Sequence, residues 1–133
     1  MQEAADKLAV REAMDEYCLR LEVNAFEEWL DLFTQDAVYE VFRRTLRGHQ
    51  EISDMLSQAP HGVHIGGAAR ITLTGDVAET VQNYSFHGDD DSFSNNGWYY
   101  RTYVRTAAGW KISHMRVKMQ KQTNKPLRES SAA

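Results

Sequence analysis

The sequence has a single cysteine, no excess of basic residues and no long apolar run, and each shortage removes a class of function. Cys18 is the only thiol among 133 residues, so no intrachain disulfide can form, which fits a reducing compartment. It falls in an amphipathic helix pattern, where a small buried thiol is the expected reading rather than a nucleophile. Acidic residues outnumber basic ones by 19 to 15, for a formal net charge of −4. Binding to a phosphate backbone needs clustered positive charge. The nearest approach to it is Arg43, Arg44 and Arg47, read as a solvated rim beside a turn, so no nucleic-acid partner is expected. No segment approaches the roughly 20 apolar residues of a membrane span. The opening MQEAADKLAV has no apolar run flanked by basic residues, which argues against a signal peptide. No membrane partner is expected, and the cytoplasm is the default location. A nucleophile elbow, a phosphate-binding glycine loop and a dinucleotide fingerprint are also missing, and nothing suggests a cofactor.

What remains has ordinary globular proportions, 42% hydrophobic and 26% charged, over a length suited to one domain. Val10, Met14, Tyr17 and Leu21 recur at helical steps. Asn24 followed by Glu27 reads as a capping box ahead of a second short helix striped by Phe26, Trp29, Leu30 and Phe33, which Thr34-Gln35-Asp36 ends. Ala37 to Phe42 has the composition of a strand. Gly48 opens a third helix carrying Ile52, Met55 and Leu56, closed by Pro60 and Gly62. From there the pattern is β: Val63 to Thr74 with a bulge at Gly66-Gly67, a turn at Gly75-Asp76, Val77 to Phe86, a polar loop from Asp89 to Gly97, then Trp98 to Thr106 and Trp110 to Met119 around Ala107-Ala108-Gly109. The domain is expected over residues 1–120, with Lys121 to Ala133 as a flexible tail. Helices followed by antiparallel strands make an α+β domain. Five such strands should curl around the helices and leave a concave, ligand-holding face.

Four stretches in order resemble the SnoaL-like branch of the nuclear transport factor 2-like superfamily. They are Tyr17-Cys18-Leu19-Arg20-Leu21-Glu22 with Phe26 to Phe33 following, Gln35 to Val41 running into Arg47-Gly48-His49-Gln50-Glu51-Ile52, Gly62-Val63-His64-Ile65, and Gly109-Trp110-Lys111-Ile112. The resemblance implies a cone-shaped α+β barrel, with three helices packed in a strongly curved, mixed or antiparallel sheet that opens at one end as a pocket. Members of that superfamily include dehydratases, dehydrohalogenases, isomerases, polyketide cyclases and plain binding modules, so fold does not choose the reaction. Enzymes of this kind carry an aspartate after the first helix and a histidine on the strand after the third. Glu22 and His64 stand at those places, and Tyr17 matches a recurrent tyrosine one turn or so earlier. Glutamate for aspartate keeps the carboxylate but extends it by one methylene.

A carboxylate beside an imidazole makes an acid–base pair. Desolvation in an apolar pocket raises a carboxylate's pKa and strengthens it as a base, while a tyrosine hydroxyl can donate to an oxygen that gains charge. The catalytic candidates are therefore Glu22, His64 and Tyr17, although a solvated Glu22, a core His64 and a packed Tyr17 are the plain alternatives. Trp29, Phe33, Tyr39, Tyr84, Phe86, Trp98, Tyr100 and His114 are the substrate-binding candidates. Several aromatics turned inward would suit a flat aromatic or polycyclic molecule, and His114, alternating with Ile112 and Arg116, would sit at the pocket mouth. His61 and His64 form H-x-x-H, but on a strand they face opposite sides without accompanying ligands, so no metal is assigned. His87 beside Asp89-Asp90-Asp91 reads as a solvated loop.

The expected protein is a cofactor-independent lyase acting on a small aromatic or alicyclic hydroxylated compound. It would work by dehydration or retro-aldol cleavage, within the breakdown of aromatic compounds, as a homodimer or homotrimer. The rivals are a ketosteroid-type isomerase, a ligand-binding module, and the small subunit of a ring-hydroxylating dioxygenase, whose Glu-Glu-Trp-Leu-Asp-Leu stretch is similar.

Overall fold

Apolar residues spaced three and four apart put Val10, Met14, Tyr17 and Cys18 on one buried face of the first helix, α1 (Gln2–Glu22). The computed structural model describes residues 1–22, 25–90 and 93–120. The expectations for Asn24 as a cap, for Asp91 in the charged loop and for the tail from Lys121 to Ala133 concern residues outside that set. Helix α2 (Phe26–Leu30) follows, with Ala25 at its N-cap and no side-chain hydrogen bond there.

The second helix is shorter than its sequence stripe suggests. Phe33, expected as its last apolar position, instead begins strand β1 (Phe33–Val41). The reason is tertiary: Phe33 pairs with Ile112 in a parallel ladder, and the Ile112 amide donates to the Leu32 carbonyl at 2.7 Å. Next comes β2 (Arg44–Arg47), a strand the sequence pattern does not announce. It pairs antiparallel with β1 through a two-residue turn at Phe42 and Arg43, both at positive φ (53° and 60°). Such turns usually carry Asn-Gly, and neither residue advertises one. All three arginines of this hairpin are exposed, as a rim would be.

Helix α3 (Gly48–Leu56) buries Ile52. It is tied to β1 by the contact of His49 Nε2 with the Phe33 carbonyl at 3.0 Å. The remaining strands are β3 (Gly62–Thr74), β4 (Val77–Gly88), β5 (Ser94–Thr106) and β6 (Gly109–Met119). Six described strands, not five, form one mixed sheet in the order β2-β1-β6-β5-β4-β3. Only the β1–β6 contact is parallel. The bulge expected at Gly66-Gly67 is present as a register shift between Gly66 and Ala69.

The sheet is not closed, and α1 lies against β3 and β6 on its inner face while α3 covers β1 and β2. The result is the cone-shaped α+β arrangement, with the core between helices and sheet. One ionic staple fixes the start of α1 to the far end of the sheet. Arg105 donates to both carboxylate oxygens of Asp6, at 2.9 and 2.8 Å, and also to Asp76 at 2.8 Å. Among the described residues no helix is long and apolar enough to cross a membrane.

Candidate functional site

The inner face of β1, β3, β4 and β5 and the last turn of α1 enclose a cavity of about 340 Å3. Tyr17 and Glu22 enter it from α1, Tyr39 from β1, His64 from β3, and Tyr84 and Phe86 from β4. Six of the sequence candidates therefore meet in one place.

Tyr17 is held from behind by a cluster of rings, with Trp29 at 5.4 Å, Tyr99 at 5.3 Å and Phe33 at 6.3 Å between centroids. Its hydroxyl lies 2.7 Å from that of Tyr39, and either can be the donor. Burial, then the neighbouring Tyr39 and Tyr99, holds the Tyr17 pKa well above the usual tyrosine value, and burial raises that of Tyr39. Both phenols are neutral at neutral pH and can donate hydrogen bonds.

His64 packs against Phe86 with ring centroids 4.6 Å apart. Burial lowers its pKa to about 4, so the ring is neutral at physiological pH. Its Nδ1 is buried without a hydrogen-bond partner. Glu22, the last residue of α1, lines the same cavity but stands exposed, and no hydrogen bond joins it to His64. The burial expected of the carboxylate thus falls on the imidazole. A neutral imidazole can accept a proton, and a carboxylate on the same cavity can supply a counter-charge to the imidazolium.

A second polar pair lines the cavity on β4 and β5. The Tyr84 hydroxyl donates to Asn95 Oδ1 at 2.5 Å, which fixes the amide so that its NH2 is a donor. The Tyr84 ring stacks on Tyr99 with centroids 4.1 Å apart and planes 4° from parallel, and burial pushes the Tyr84 hydroxyl up to about 12. Asn95 and Tyr99 were missed by sequence reasoning, as were His61 and Asp89 at the rim. His61 precedes the strand, which begins at Gly62, so it opens onto the same cavity as His64 rather than facing away. Among the described residues no group of three His, Cys, Asp or Glu side chains is placed to hold a metal ion.

Five of the expected binding residues do not line the cavity. Trp29 and Phe33 are core, 0% and 1% exposed, and support Tyr17 from behind. Trp98, Tyr100 and His114 lie on the outer face. On β5 it is the odd-numbered residues, Tyr99, Arg101 and Tyr103, that point inward and are buried. On β6 a bulge shifts the register so that Thr102 faces His114 while Tyr103 faces Ile112. That single extra residue turns His114 away from Ile112. It meets Glu40 at 2.6 Å, beside Arg116 stacked on Tyr100 at 4.5 Å.

The sequence pattern of the SnoaL-like domain matches residues 2–116. No curated protein matches the sequence significantly. Among solved structures, the chain is similar to a protein of unknown function from Mycobacterium tuberculosis, with TM-score 0.82 and 20% identity over 92% of this chain and 76% of that one. It is similar to a candidate scytalone dehydratase from Novosphingobium aromaticivorans, with TM-score 0.79 and 17% identity over 95% and 91% of the two chains. It is also similar to hexachlorocyclohexane dehydrochlorinase LinA-type3 from Novosphingobium barchaimii, with TM-score 0.77 and 16% identity over 91% and 90%. At these identities the likeness is one of fold.

Proposed function

We propose, from the premise that this chain belongs to the SnoaL-like domain family, that it is a cofactor-independent lyase. Its substrate would be a small hydroxylated aromatic or alicyclic compound. The observation that carries the reading is the convergence of Glu22, His64 and the hydrogen-bonded Tyr17–Tyr39 pair on one apolar-walled cavity.

The chemistry follows from the protonation states. Neutral His64 takes a proton from carbon, the released electron pair forms a carbon–carbon double bond, and the adjacent carbon–oxygen bond breaks. The departing hydroxyl leaves as water on receiving the proton of the imidazolium, directly or relayed through Tyr17, so that both groups end neutral as they began. Glu22 stabilises the imidazolium while it lasts, and the Tyr17–Tyr39 pair donates to oxygen that gains charge in the transition state. Retro-aldol cleavage uses the same groups, with the first proton drawn from a hydroxyl instead of carbon, and product analysis separates the two. The dehydratase and dehydrochlorinase names among the structural neighbours support elimination as the reaction class. A ketosteroid-type isomerase is disfavoured because the acids lining the cavity among the described residues, Glu22 and Asp89, are both exposed at its rim rather than set deep in the sheet.

The test is kinetic, on hydroxylated cyclic compounds of a size that fits the cavity. Glu22→Gln and His64→Gln should each lower turnover on the order of 100-fold or more, and the double variant should lose scarcely more than the worse single one, because groups acting as a unit are not additive. Near-wild-type turnover in Glu22→Gln would end the proposal, and saturable binding without product would assign the cavity to a binding module.

A further inference from the structure

Arg101 is the largest anomaly in the core. It lies on the inner face of β5, is 1% exposed, and its guanidinium carbon sits 4.4 Å from the centroid of the Tyr17 ring and 4.5 Å from that of Tyr99. Its Nη1 donates to Gln82 Oε1 at 2.9 Å, while Nε and Nη2 have no hydrogen-bond partner among the described residues. The groups around it are uncharged: Tyr17 and Cys18 on α1, Gln82 on β4, Tyr99 and Tyr103 on β5, and Tyr39 beyond Tyr17. Among the described residues no carboxylate pairs with it. A buried cation without an anion is strongly disfavoured, and an apolar side chain of similar volume would normally serve the core better. Cation–π contact with two rings offsets only part of that cost.

The position of the charge gives it a use. Tyr17 and Tyr99 are wall residues of the cavity, and no lysine or arginine lines that cavity among the described residues. Arg101 stands directly behind the wall, in a low-dielectric setting where a full charge acts at longer reach than in water. We propose that Arg101 is a positioning residue that biases the cavity towards ligands whose oxygen carries negative charge at the Tyr17–Tyr39 hydroxyls, as in a phenolate or an enolate. It acts through Tyr17: the cation on the ring face strengthens the hydroxyl as a donor and favours negative charge beyond it. The same field opposes the rise that burial imposes on the Tyr17, Tyr39 and Tyr99 hydroxyls. This inference rests on the reading that the hydroxyl pair receives a substrate oxygen, and it adds the ionisation state of that oxygen.

4-Nitrophenol reports the effect directly, because phenol and phenolate absorb at different wavelengths. Its pKa when bound to the full-length protein is measured by absorbance titration, alongside its affinity. The wild type should bind the phenolate on the order of tenfold or more tighter than the phenol. Arg101→Met should abolish that preference with the melting temperature unchanged or raised, Arg101→Lys should restore part of it, and Tyr17→Phe should weaken it. A wild type that binds the neutral phenol preferentially, or an Arg101→Met protein that folds and keeps the wild-type preference, overturns the proposal. If Arg101→Met fails to fold, Arg101→Gln is read by the same criterion. The probe undergoes no elimination, so loss of the lyase reading through Glu22→Gln and loss of this one are separate results.

Discussion

At the level of single side chains, the contrast between His64 and Glu22 decides how the cavity would work. A solvated histidine titrates near 6.5, but burial takes His64 to about 4. The form that accepts a proton is the neutral one. Activity in kcat/KM should therefore persist as pH falls past 6.5 and decline only as it falls through about 4, measured by brief exposure so that the fold survives. A bound substrate that shields Glu22 from water strengthens its attraction for the imidazolium and raises the His64 pKa, so the acid limb in kcat should lie above that in kcat/KM. A limb near 6.5 in both would mean that His64 is solvated and that the buried nitrogen plays no part. Tyr17, Glu22 and His64 were singled out by the resemblance to SnoaL-like enzymes and not by their own pattern, which reads equally as packing and solvated charge; the three line one cavity. The binding residues on β5 had no such guide. Trp98, Tyr100, Thr102 and Val104 make one apolar alternation, and Tyr99, Arg101 and Tyr103 make another that contains a charge. Alternation alone does not say which set faces inward, and the structure buries the set that contains the arginine.

At the level of elements, the reading succeeded where local signals agreed with tertiary ones and failed where they competed. Helices α1 and α3 and the Gly75 and Gly109 hairpins carry their own punctuation, and all lie within a few residues of expectation. The end of α2 does not, because Phe33 fits a helical stripe yet gains more from pairing beside Ile112. The turn into β2 was invisible because Phe42 and Arg43 occupy left-handed backbone that Gly or Asn normally fills. That conformation presents Phe42, an exposed apolar side chain, at the cavity wall, which ties the strain to the site. Relieving the strain away from the wall should stabilise the protein. Arg43→Gly, at φ 60° and exposed, is expected to add about 1 kcal/mol, seen as a higher midpoint in urea with unchanged slope. A loss of stability would show that the Arg43 side chain has a partner worth more than the strain.

For the molecule as a whole, two titrations shape its response to acid, one of a group the fold holds neutral and one of a group it holds charged. His64 has a folded pKa of about 4 against about 6.5 when unfolded. The unfolded chain therefore binds the extra proton between those values, and stability is present in full above 6.5 and is lost as pH falls towards 4. The shift sets an upper bound of about 3 kcal/mol, reduced by whatever water contact the ring retains. Asp6 is a carboxylate with a depressed pKa, held down first by its hydrogen bonds from Arg105. Its contribution is present above 3.8, the ordinary value of an aspartate, and disappears only below it. Acid should thus weaken the fold in two stages, an upper one owed to His64 and a lower one in which the staple between α1 and the sheet opens. Chemical denaturation at a series of pH values from 8 to 3 separates them. His64→Gln, with no proton to gain, should flatten the curve between 6.5 and 4 and leave the lower fall in place. Asp6→Asn should lower stability throughout the neutral range and remove the lower fall, and a His64→Gln curve that still drops between 6.5 and 4 would place the acid-sensitive group elsewhere in the core.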